Sequence, residues 1–472
     1  MQQTPVRIGG RPETLPEGHQ ILNPFNSEVV GKVPACGEQE VDRACKAAAA
    51  ALARRDFPQH ERARVLERVA EMLRERGEEL ARIIMREGGK PIATARGEVT
   101  RCVDTAVFSA VEARKLDGVM TPAEASAPGE GKVAFSLRVP VGVVAAITPF
   151  NFPLNLAAHK LLPAIAAGCP VVLKPAPQTP LAGITLVEWL VEAGMPEDWI
   201  SVVTDSGKEA GAPLVSHDIP ALVSFTGSAP VGWSNAAQAP RKRVCLELGA
   251  NSPLIVEPDA DLDRIVEKLK VAGFANAGQS CISVQRVLVH RDCHAALREK
   301  LAAAAESLVC GDPVDEKTQV GPLIRPAEND RVREWLNEAL EGGGTLVAGG
   351  DMEGSVWKPT VVDEPPQDCR LYRAEAFAPV VTINAYDDFD QGLAMANDSD
   401  FGLHAGVFTN ALDKALKASR DLDFGGVLIN EVPTVRLDQQ PYGGVRDAGN
   451  TREGPAFAVE EMTELRYISL QP

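Results

Sequence analysis

The sequence predicts an α/β protein with two parallel-sheet domains and a small β extension. From Val141 onward, short apolar runs typical of buried strands alternate with segments of helical periodicity. A second series of the same kind follows Gly249, and the stretch Thr121–Arg138 belongs to neither series. Because the chain has 472 residues, more than one hydrophobic core is expected.

The first series alternates strands with helices. Its predicted strands are Val141–Ile147, Pro170–Lys174, Ile200–Val203, Ala221–Phe225 and Arg243–Leu248. Its predicted helices are Asn155–Ala167, Leu181–Ala193 and Lys208–Ser216. Repeated βα units favour a parallel sheet with helices on its faces.

The second series has the same character. Its predicted strands are Ser252–Val256, Val284–His290, Pro379–Ala385, Ala405–Phe408 and Gly426–Ile429. Its predicted helices are Leu262–Ala275, Ala295–Leu308, Asp388–Ala396 and Leu412–Ser419. A second parallel-sheet domain is therefore expected, meeting the first near residue 249.

The remaining segments supply helices and an extension. Two long amphipathic helices are expected at Val41–Ala53 and Glu61–Arg86, after initial loops. The alternation that ends at Arg138 predicts a strand outside the main sheet, with Glu464–Leu470 as its partner, and such an edge commonly pairs with another subunit. The predicted bounds are 1–120 and 139–248 for the first domain, 249–437 for the second, and 121–138 and 456–472 for the extension.

The charge, the N-terminal residues and the cysteines and histidines of the chain disfavour several classes of protein. A net charge of −17 disfavours binding to nucleic acid or to an anionic membrane. The opening MQQTPVRIGG lacks a secretory pattern, and no apolar run reaches membrane-spanning length. Nine scattered cysteines argue against a disulfide framework, so a cytoplasmic location is expected. His290, Cys293 and His294 span a strand end and a helix start and need not converge, so no metal is expected.

Four segments carry candidate chemistry: Thr148–Pro153, Val171–Ala176, Glu247–Asn251 and Asn276–Cys281. Cys281 lies in a loop between a predicted helix and a predicted strand, where a thiolate can act as a nucleophile. An inert buried cysteine is the alternative.

Asn151 follows a strand and can direct an amide N–H at a developing oxyanion. The alternative is an asparagine that only forms a turn before a helix. Glu247 ends a strand at the domain junction and could activate water, the alternative being a surface glutamate.

Two further positions suit a nucleotide. Lys174 ends a strand, where an ammonium can contact hydroxyls or phosphates, or can simply be solvated. Gly227 and Ser228 join a strand to a helix and offer free backbone N–H groups to a pyrophosphate, the alternative being plain helix capping. The ordinary GxGxxG fingerprint is absent.

Together these segments resemble the aldehyde dehydrogenase superfamily. The resemblance extends from Asn23 to the last strand. Its matching stretches are Thr148–Pro153, Lys174–Ala176, Phe225–Ser228, Glu247–Gly249, Gly278–Cys281, Glu375–Pro379 and Pro441–Gly444.

The resemblance implies a Rossmann-like cofactor domain, a catalytic domain and oligomerisation strands. The predicted edge strands themselves suggest a homodimer or homotetramer. The resemblance also implies that Cys281 is the nucleophile, Asn151 the oxyanion donor and Glu247 the base that hydrolyses a thioester, so that an aldehyde is oxidised to its acid with NAD or NADP. The cofactor residues that it implies are Thr148, Phe150, Lys174, Gly227, Ser228, Glu375 and Phe377.

One departure bears on the cofactor. The family often has a glutamate three residues after the lysine, where it binds the adenosine ribose and disfavours a 2′-phosphate. This chain has Pro177 there. Because that carboxylate is missing and no arginine clamp for a phosphate is evident, NAD and NADP both stay open.

The substrate is implied only as a class. The chain looks most like the branch of lactaldehyde, phosphonoacetaldehyde and non-phosphorylating glyceraldehyde-3-phosphate dehydrogenases. Arg101, His159 and Arg436 could attract a small anionic or hydroxylated aldehyde. Ser280 stands where phosphate-using members often have arginine. A surface salt bridge for Arg101 and a satisfied helix histidine for His159 are the alternatives.

Two other functions remain open from the sequence alone. One is an acylating, coenzyme A-dependent enzyme that uses the same thioester, which the presence of Glu247 disfavours. The other is a non-catalytic binding or structural protein on the same scaffold.

Overall fold

A computed structural model describes residues 2–207 and 209–471. Its α-helices are, in chain order, α1 Glu38–Arg54, α2 Gln59–Gly88, α3 Ile92–Lys115, α4 Asn155–Ala167, α5 Leu181–Glu192, α6 Gly211–Ser216, α7 Ala229–Gln238, α8 Leu262–Phe274, α9 Arg291–Glu306, α10 Pro326–Glu341, α11 Arg370–Arg373, α12 Phe389–Asn397, α13 Leu412–Asp421 and α14 Pro455–Glu461.

The strands up to the domain junction are β1 Val6–Ile8, β2 Arg11–Glu13, β3 Gly18–Leu22, β4 Val29–Pro34, β5 Gly118–Thr121, β6 Val133–Pro140, β7 Val143–Ile147, β8 Val171–Lys174, β9 Ile200–Val202, β10 Pro220–Thr226 and β11 Arg243–Glu247. Those after it are β12 Ser252–Val256, β13 Val284–His290, β14 Thr345–Ala348, β15 Met352–Glu353, β16 Val356–Trp357, β17 Thr360–Asp363, β18 Val380–Tyr386, β19 Phe401–Gly402, β20 His404–Phe408, β21 Gly426–Ile429, β22 Val445–Arg446 and β23 Thr463–Leu470.

The first large sheet has five parallel strands in the order β11-β10-β7-β8-β9. The apolar residues of β7 and β8 are buried on both faces, as their continuous apolar runs predict. The chain proceeds outward from β7 through β8 to β9, and then returns to the other side of β7 with β10. This reversal leaves a crevice at the carboxyl ends of β7 and β10, where open α/β sheets bind ligands.

The second large sheet has the order β14-β17-β18-β13-β12-β20-β21. Every neighbouring pair is parallel except β14 with β17, which is antiparallel. The predicted strands of this half are all present, and β14 and β17 add to them. The predicted α/β fold class with two parallel sheets is therefore confirmed.

A separate antiparallel sheet has the order β23-β6-β5. The predicted pairing of the segment ending at Arg138 with Glu464–Leu470 is confirmed, with a register from Thr463 opposite Pro140 to Leu470 opposite Val133. This sheet exposes apolar side chains, namely Val119, Met120, Val133, Leu137, Leu465, Tyr467 and Leu470.

The region before residue 116 departs from the prediction. It contains the additional helix α3, whose buried face is built largely from small residues such as Ala95, Ala106 and Ala110 and so gives a weak apolar pattern. The expected initial loops include the hairpins β1–β2 and β3–β4. The predicted helix 208–216 begins at Gly211 in the structure, and Lys208 lies outside the described residues.

Two buried glutamates hold the first turns of neighbouring helices. Glu87 in α2 accepts hydrogen bonds from the backbone N–H groups of Leu181 and Ala182 at the start of α5. Glu98 in α3 does the same for Leu154 and Asn155 at the start of α4. Since the first turn of a helix leaves N–H groups without intrahelical acceptors, these carboxylates supply the missing partners.

Within the described ranges, no helix combines the length and apolar character needed to cross a bilayer. We retain as a proposal the division of the chain into the three units with the bounds given above.

Candidate active site

The loop that carries Cys281 is held in an unusual backbone conformation. After α8, Asn276, Ala277 and Gly278 have positive φ angles of 52°, 54° and 68°. A side chain at Gly278 would collide with the carbonyl oxygen of Ala378, so only glycine fits this close approach. Residues in this region of φ persist only where surrounding contacts hold them, and they cluster at functional sites.

Cys281 itself is half-buried, and its Sγ lies 2.9 Å from the hydroxyl oxygen of Tyr442. Burial raises the pKa of the Cys281 thiol to about 12, against the lowering effects of the Tyr442 hydrogen bond and the Arg436 charge. The resting group is therefore a thiol near neutral pH, and forming the thiolate needs stabilisation from its surroundings.

Asn151 is brought to this loop, as the sequence predicts. Its Nδ2 donates a hydrogen bond to the Gln279 carbonyl oxygen at 3.0 Å, and its Oδ1 accepts one from the Phe152 N–H at 3.2 Å. Asn276 closes the arrangement by donating to the Asn151 carbonyl. A side-chain amide has two N–H groups, so one remains for an oxyanion formed beside Cys281.

Glu247 ends β11 and is buried, so it is not the surface glutamate of the alternative interpretation. Neither carboxyl oxygen has a hydrogen-bond partner among the described residues. Burial, and next the negative charge of Glu453, raise the pKa of Glu247 well above its usual value. These surroundings favour the protonated form of the Glu247 carboxyl, which becomes a base for water only after losing its proton.

The start of α7 has the features of a pyrophosphate site. Ser228 is the N-cap residue, yet within the described part of the chain its side chain makes no capping hydrogen bond. The hydroxyl is exposed and free for a ligand, which does not support plain capping. Gly227 donates its N–H to the Glu247 carbonyl, and Thr148 donates its N–H to the Lys174 carbonyl, so the carboxyl ends of four strands meet here.

Lys174 lies at the same edge of the sheet and is buried against Asp205. The Lys174 Nζ and an Asp205 carboxyl oxygen are 2.7 Å apart, and the other Asp205 oxygen accepts a hydrogen bond from the Ala210 N–H. Lys174 is thus not a solvated lysine. Pro177, which stands where the family often has glutamate, is partly buried and its carbonyl contacts the His19 ring at 3.1 Å.

Glu375 and Phe377 also contact residues of this site. Burial raises the pKa of Glu375 to about 7, although one of its oxygens accepts a hydrogen bond from the Ala250 N–H. Phe377 has a positive φ of 47°, and its ring meets that of Phe150 edge to face with centroids 5.7 Å apart. A side chain at Gly249 would strike the Glu375 carboxyl, so glycine keeps that approach open.

Three of the four predicted substrate residues, all but Ser280, converge on two carboxylates. Arg101 in α3 pairs with Asp438 at 2.8 Å, and His159 in α4 lies 2.9 Å from the same carboxyl group. Burial lowers the pKa of His159, so the ring is neutral at neutral pH. The hydrogen bond from His159, and next the charge of Arg101, hold the pKa of Asp438 well below its usual range, although burial opposes them.

The Arg436 side chain is also buried in this cluster, with 4% of its surface exposed. Its guanidinium pairs with Glu453 at 2.9 Å, lies 3.2 Å from the His159 ring, and covers the Tyr442 ring at 3.7 Å from the centroid. Lys160 also contacts Glu453. Ser280, before the nucleophile, is partly buried, and its backbone N–H donates to the Gly278 carbonyl.

Sequence reasoning missed several residues that the structure places beside the predicted ones. They are Tyr442, Glu453, Lys160, Asp438 and Asp205. Tyr442 lies in a stretch that carried the family resemblance, and Lys160 and Asp438 adjoin or follow closely on predicted residues. No local pattern marks Glu453 or Asp205. In residues 2–207 and 209–471 no group of metal-ligating side chains could hold an ion.

Comparison with known proteins agrees with this geometry. Residues 12–468 match the aldehyde dehydrogenase family. The chain is 43% identical over 470 residues to 3-sulfolactaldehyde dehydrogenase of Priestia aryabhattai, covering 100% of this chain and 98% of the relative.

Two solved structures are also similar. Aldehyde dehydrogenase 21 of Physcomitrella patens, in complex with the reaction product succinate, has a TM-score of 0.95 and 37% identity over 99% of this chain and 98% of that chain. Glyceraldehyde-3-phosphate dehydrogenase GapN of Methanocaldococcus jannaschii, complexed with NADP, has a TM-score of 0.93 and 36% identity over 97% and 100%. The chain therefore belongs to the aldehyde dehydrogenase family and is an NAD(P)-dependent oxidoreductase that converts an aldehyde to its acid.

Proposed function

We propose that the protein oxidises a small aldehyde bearing an anionic or hydroxylated end, through a thioester on Cys281 that Glu247 helps to hydrolyse. The observation that carries this proposal is the meeting of three groups in one place. The Cys281 loop accepts a hydrogen bond from Asn151, and the charge of Glu247 is near enough to Cys281 to raise the pKa of its thiol.

In the first half of the reaction, the Cys281 thiolate attacks the aldehyde carbonyl and forms a thiohemiacetal. The free N–H of the Asn151 amide and the backbone N–H of Cys281 hold the oxyanion, and losing one such donor typically costs about 3–4 kcal/mol in barrier height. A bound nicotinamide supplies the hydride acceptor. After hydride loss, the acyl group remains on Sγ as a thioester.

In the second half, Glu247 takes a proton from water, which attacks the thioester carbonyl. The carbon–sulfur bond breaks, and the acid leaves. Because the pKa of Glu247 is raised, the deprotonated fraction of this base increases with pH, and hydrolysis is expected to become faster as pH rises through that pKa.

The residues present fit a nicotinamide dinucleotide. Gly227 and the Ser228 hydroxyl, which makes no capping hydrogen bond, suit the pyrophosphate at the start of α7. We expect Thr148, Phe150, Glu375 and Phe377 to contact the rest of the dinucleotide, and the Phe150 and Phe377 rings already meet. Lys174 suits the adenosine ribose. Since Asp205 neutralises the Lys174 charge, we propose that NAD is preferred over NADP, whose 2′-phosphate gains no net attraction from this pair.

The cluster around Arg101 supports an anionic substrate. Arg101, Lys160 and Arg436 are three cations against the two carboxylates of Asp438 and Glu453, so one positive charge is left over. Arg101 keeps 31% of its side chain exposed and is the cation best able to reach a ligand. The sulfonated, phosphorylated or dicarboxylic compounds named for the three relatives are all anionic. We propose 3-sulfolactaldehyde as the first substrate to test.

The test is a panel of aldehydes with NAD and with NADP, followed by the absorbance of the reduced nicotinamide. We expect kcat/KM to be highest for 3-sulfolactaldehyde, lower for lactaldehyde, and lowest for uncharged propanal. Arg101→Ala should raise KM for the sulfonate far more than for lactaldehyde. Equal activity on charged and uncharged aldehydes in both enzymes would contradict the substrate proposal.

A Cys281→Ala variant tests the chemistry separately. It should lose turnover on every aldehyde while still binding NAD, as followed by quenching of protein fluorescence. Adding coenzyme A to the unmodified enzyme distinguishes an acylating enzyme, since the product would then be a thioester and not the free acid.

We also propose that the protein is a cytoplasmic homodimer or homotetramer. The nine cysteines are free thiols, which suits a reducing compartment. The sheet β23-β6-β5 exposes apolar side chains on both faces, a property of surfaces that associate.

A further inference from the structure

Tyr442 contacts the nucleophile but has no role in the reaction proposed above. It is buried, and its hydroxyl makes its hydrogen bond to Cys281 Sγ at 2.9 Å. The ring is enclosed on two sides: the Arg436 guanidinium covers it at 3.7 Å from the centroid, and the His404 ring meets it edge to face at 5.0 Å. These contacts leave the phenol little freedom to turn away from the sulfur.

The protonation state of Tyr442 determines which of the two groups donates this hydrogen bond. Burial and the neighbouring thiolate raise the pKa of Tyr442 well above its usual value, so the phenol keeps its proton across the working pH range. A protonated phenol donates to a thiolate, which can only accept. Hydrogen bonds to a charged acceptor are about twice as strong as those between neutral groups.

We infer that Tyr442 stabilises the Cys281 thiolate through an O–H···S hydrogen bond, with Arg436 holding and polarising the phenol ring from its face. A cation over an aromatic ring draws electron density toward itself, so the hydroxyl becomes a better donor. The inference rests on the proposed function, in which Cys281 is the nucleophile.

The other charged groups around the sulfur are mixed in sign. Arg436 favours the thiolate, whereas the carboxyls of Glu375 and Glu247 oppose it when ionised. Glu453 and Lys160 lie behind Arg436 and contact each other, and burial lowers the pKa of His404 to about 4, so that ring is neutral. Among the described residues, Tyr442 is the group that hydrogen-bonds Sγ, and its bond distinguishes thiolate from thiol.

The same contact matters at two stages. When Sγ attacks the carbonyl, the thiol proton has already left to solvent and Tyr442 keeps its own. When water attacks the thioester, the carbon–sulfur bond breaks and the electron pair returns to Sγ as a thiolate. A donor that prefers the thiolate over the acylated sulfur thus stabilises the leaving group as well.

The test is the alkylation rate of Cys281 by iodoacetamide in the cofactor-free enzyme, compared with that of Tyr442→Phe. The modified peptide is quantified by mass spectrometry, which separates Cys281 from the other cysteines. Losing one hydrogen bond to a charged group should raise the thiol pKa by about one to two units, so alkylation at neutral pH should slow by about ten-fold or more. Phenylalanine keeps the ring contacts with Arg436 and His404.

Tyr386→Phe is the matched control, because it also removes a buried hydroxyl, one that bonds Glu257 and not Cys281. Its alkylation rate should equal that of the unmodified enzyme. Replacing Tyr442 with 3,5-difluorotyrosine, a stronger donor, should speed alkylation. An unchanged rate in both Tyr442 variants would overturn the inference.

Failure of the proposed function would look different. If complete alkylation of Cys281 left turnover intact, Cys281 would not be the nucleophile, whatever the effect of Tyr442 on its reactivity.

Discussion

At the scale of single residues, two buried carboxyl groups of the site have pKa values shifted in opposite directions because their surroundings differ. Glu453 contacts Lys160 and Arg436, and these charges hold its pKa down at about 2 despite burial. Glu247 has no such partner, and both burial and the Glu453 charge push its pKa up. When environments drive two acids apart in this way, one stays ionised as a fixed charge and the other can exchange a proton during the reaction.

Replacing Glu247 with Gln should stop the cycle after the thioester forms. The amide cannot take a proton from water, so one reduced nicotinamide per active site is released in a burst and steady turnover falls by about a hundred-fold or more. Rapid-mixing absorbance and intact mass of the acylated subunit measure both effects. Glu460→Gln, an exposed change in α14, is the control and should leave the progress curve unaltered. Linear turnover without a burst in Glu247→Gln would argue against its role in hydrolysis.

Cofactor preference depends on another single pair, Lys174 and Asp205. Asp205→Asn keeps the hydrogen bond from the Ala210 N–H but leaves the lysine charge uncompensated. We expect kcat/KM for NADP relative to NAD to rise by about ten-fold, the size of one charge-assisted contact. Asp205→Glu retains the carboxylate and should change the ratio little. Equal ratios in all three proteins would show that this pair does not select the cofactor.

The sequence predicted the site residues that lie at strand ends, but it did not predict those that tertiary packing brings in from other parts of the chain. Cys281, Asn151 and Glu247 each follow or precede a strand in a recognisable stretch. Tyr442 meets Cys281 across 161 residues of sequence, and Asp205 meets Lys174 only because β8 and β9 are neighbours in the sheet. Such contacts depend on tertiary packing, which no local pattern records.

At the scale of elements, the helices around the cofactor sheet are joined by buried carboxylates. Glu98 caps α4 and also pairs with the buried ammonium of Lys90, which sits against the Phe152 ring at 3.8 Å. Glu87 caps α5, and burial raises its pKa to about 8, so it is largely neutral at neutral pH. Both acids cap a helix, but only Glu98 also balances a buried charge.

This difference predicts different stabilities for two matched variants. Glu98→Gln should destabilise the fold by about 3–5 kcal/mol, because Lys90 becomes an unpaired buried charge. Glu87→Gln should cost less, about 1–3 kcal/mol, since one backbone N–H loses its acceptor but no buried charge is left unpaired. Thermal unfolding midpoints at neutral pH compare them.

The double change Lys90→Met with Glu98→Gln should recover most of the loss, because both charges are then gone. Equal midpoints for Glu87→Gln and Glu98→Gln would contradict this account of the Lys90 pair.

The contribution of Glu87 to stability depends on pH. Because its folded-state pKa is raised, this contribution to the free energy of unfolding is fully present below the ordinary glutamate pKa and is lost as pH rises through about 8.

Helices and strands were predicted closely where their buried apolar residues are large, and less well where these residues are small. The strand Val284–His290 and the helix start at Asn155 agree with the sequence pattern. Helix α3 was missed because alanines line much of its buried face, and alanine contributes little contrast between a core face and a surface face.

At the scale of the whole molecule, the apolar sheet β23-β6-β5 is the surface expected to hold subunits together. Leu465 and Tyr467 project from one face of β23 and are 53% and 59% exposed. Such an area of exposed apolar side chains is unusual for a monomer. The proposal of a homodimer or homotetramer therefore makes these two side chains the place to test it.

Leu465→Glu with Tyr467→Glu should lower the molar mass measured by light scattering during size-exclusion chromatography, because burying two new carboxylates in an interface is unfavourable. The exposed pair Leu412→Glu with Leu416→Glu on α13 is the control and should leave the mass unchanged. A monomeric mass for the unmodified protein would refute the assembly directly.

The pairing of β6 with β23 also has a consequence for how the chain is made. Pro140 and Thr463 face each other in this ladder, yet more than 300 residues separate them along the chain. During translation β6 therefore emerges long before its partner and keeps one side of its backbone unpaired until the ribosome has released β23. An open strand edge is a template for pairing with other chains. In this interval the open edge of β6 can pair with another nascent copy on the same polysome.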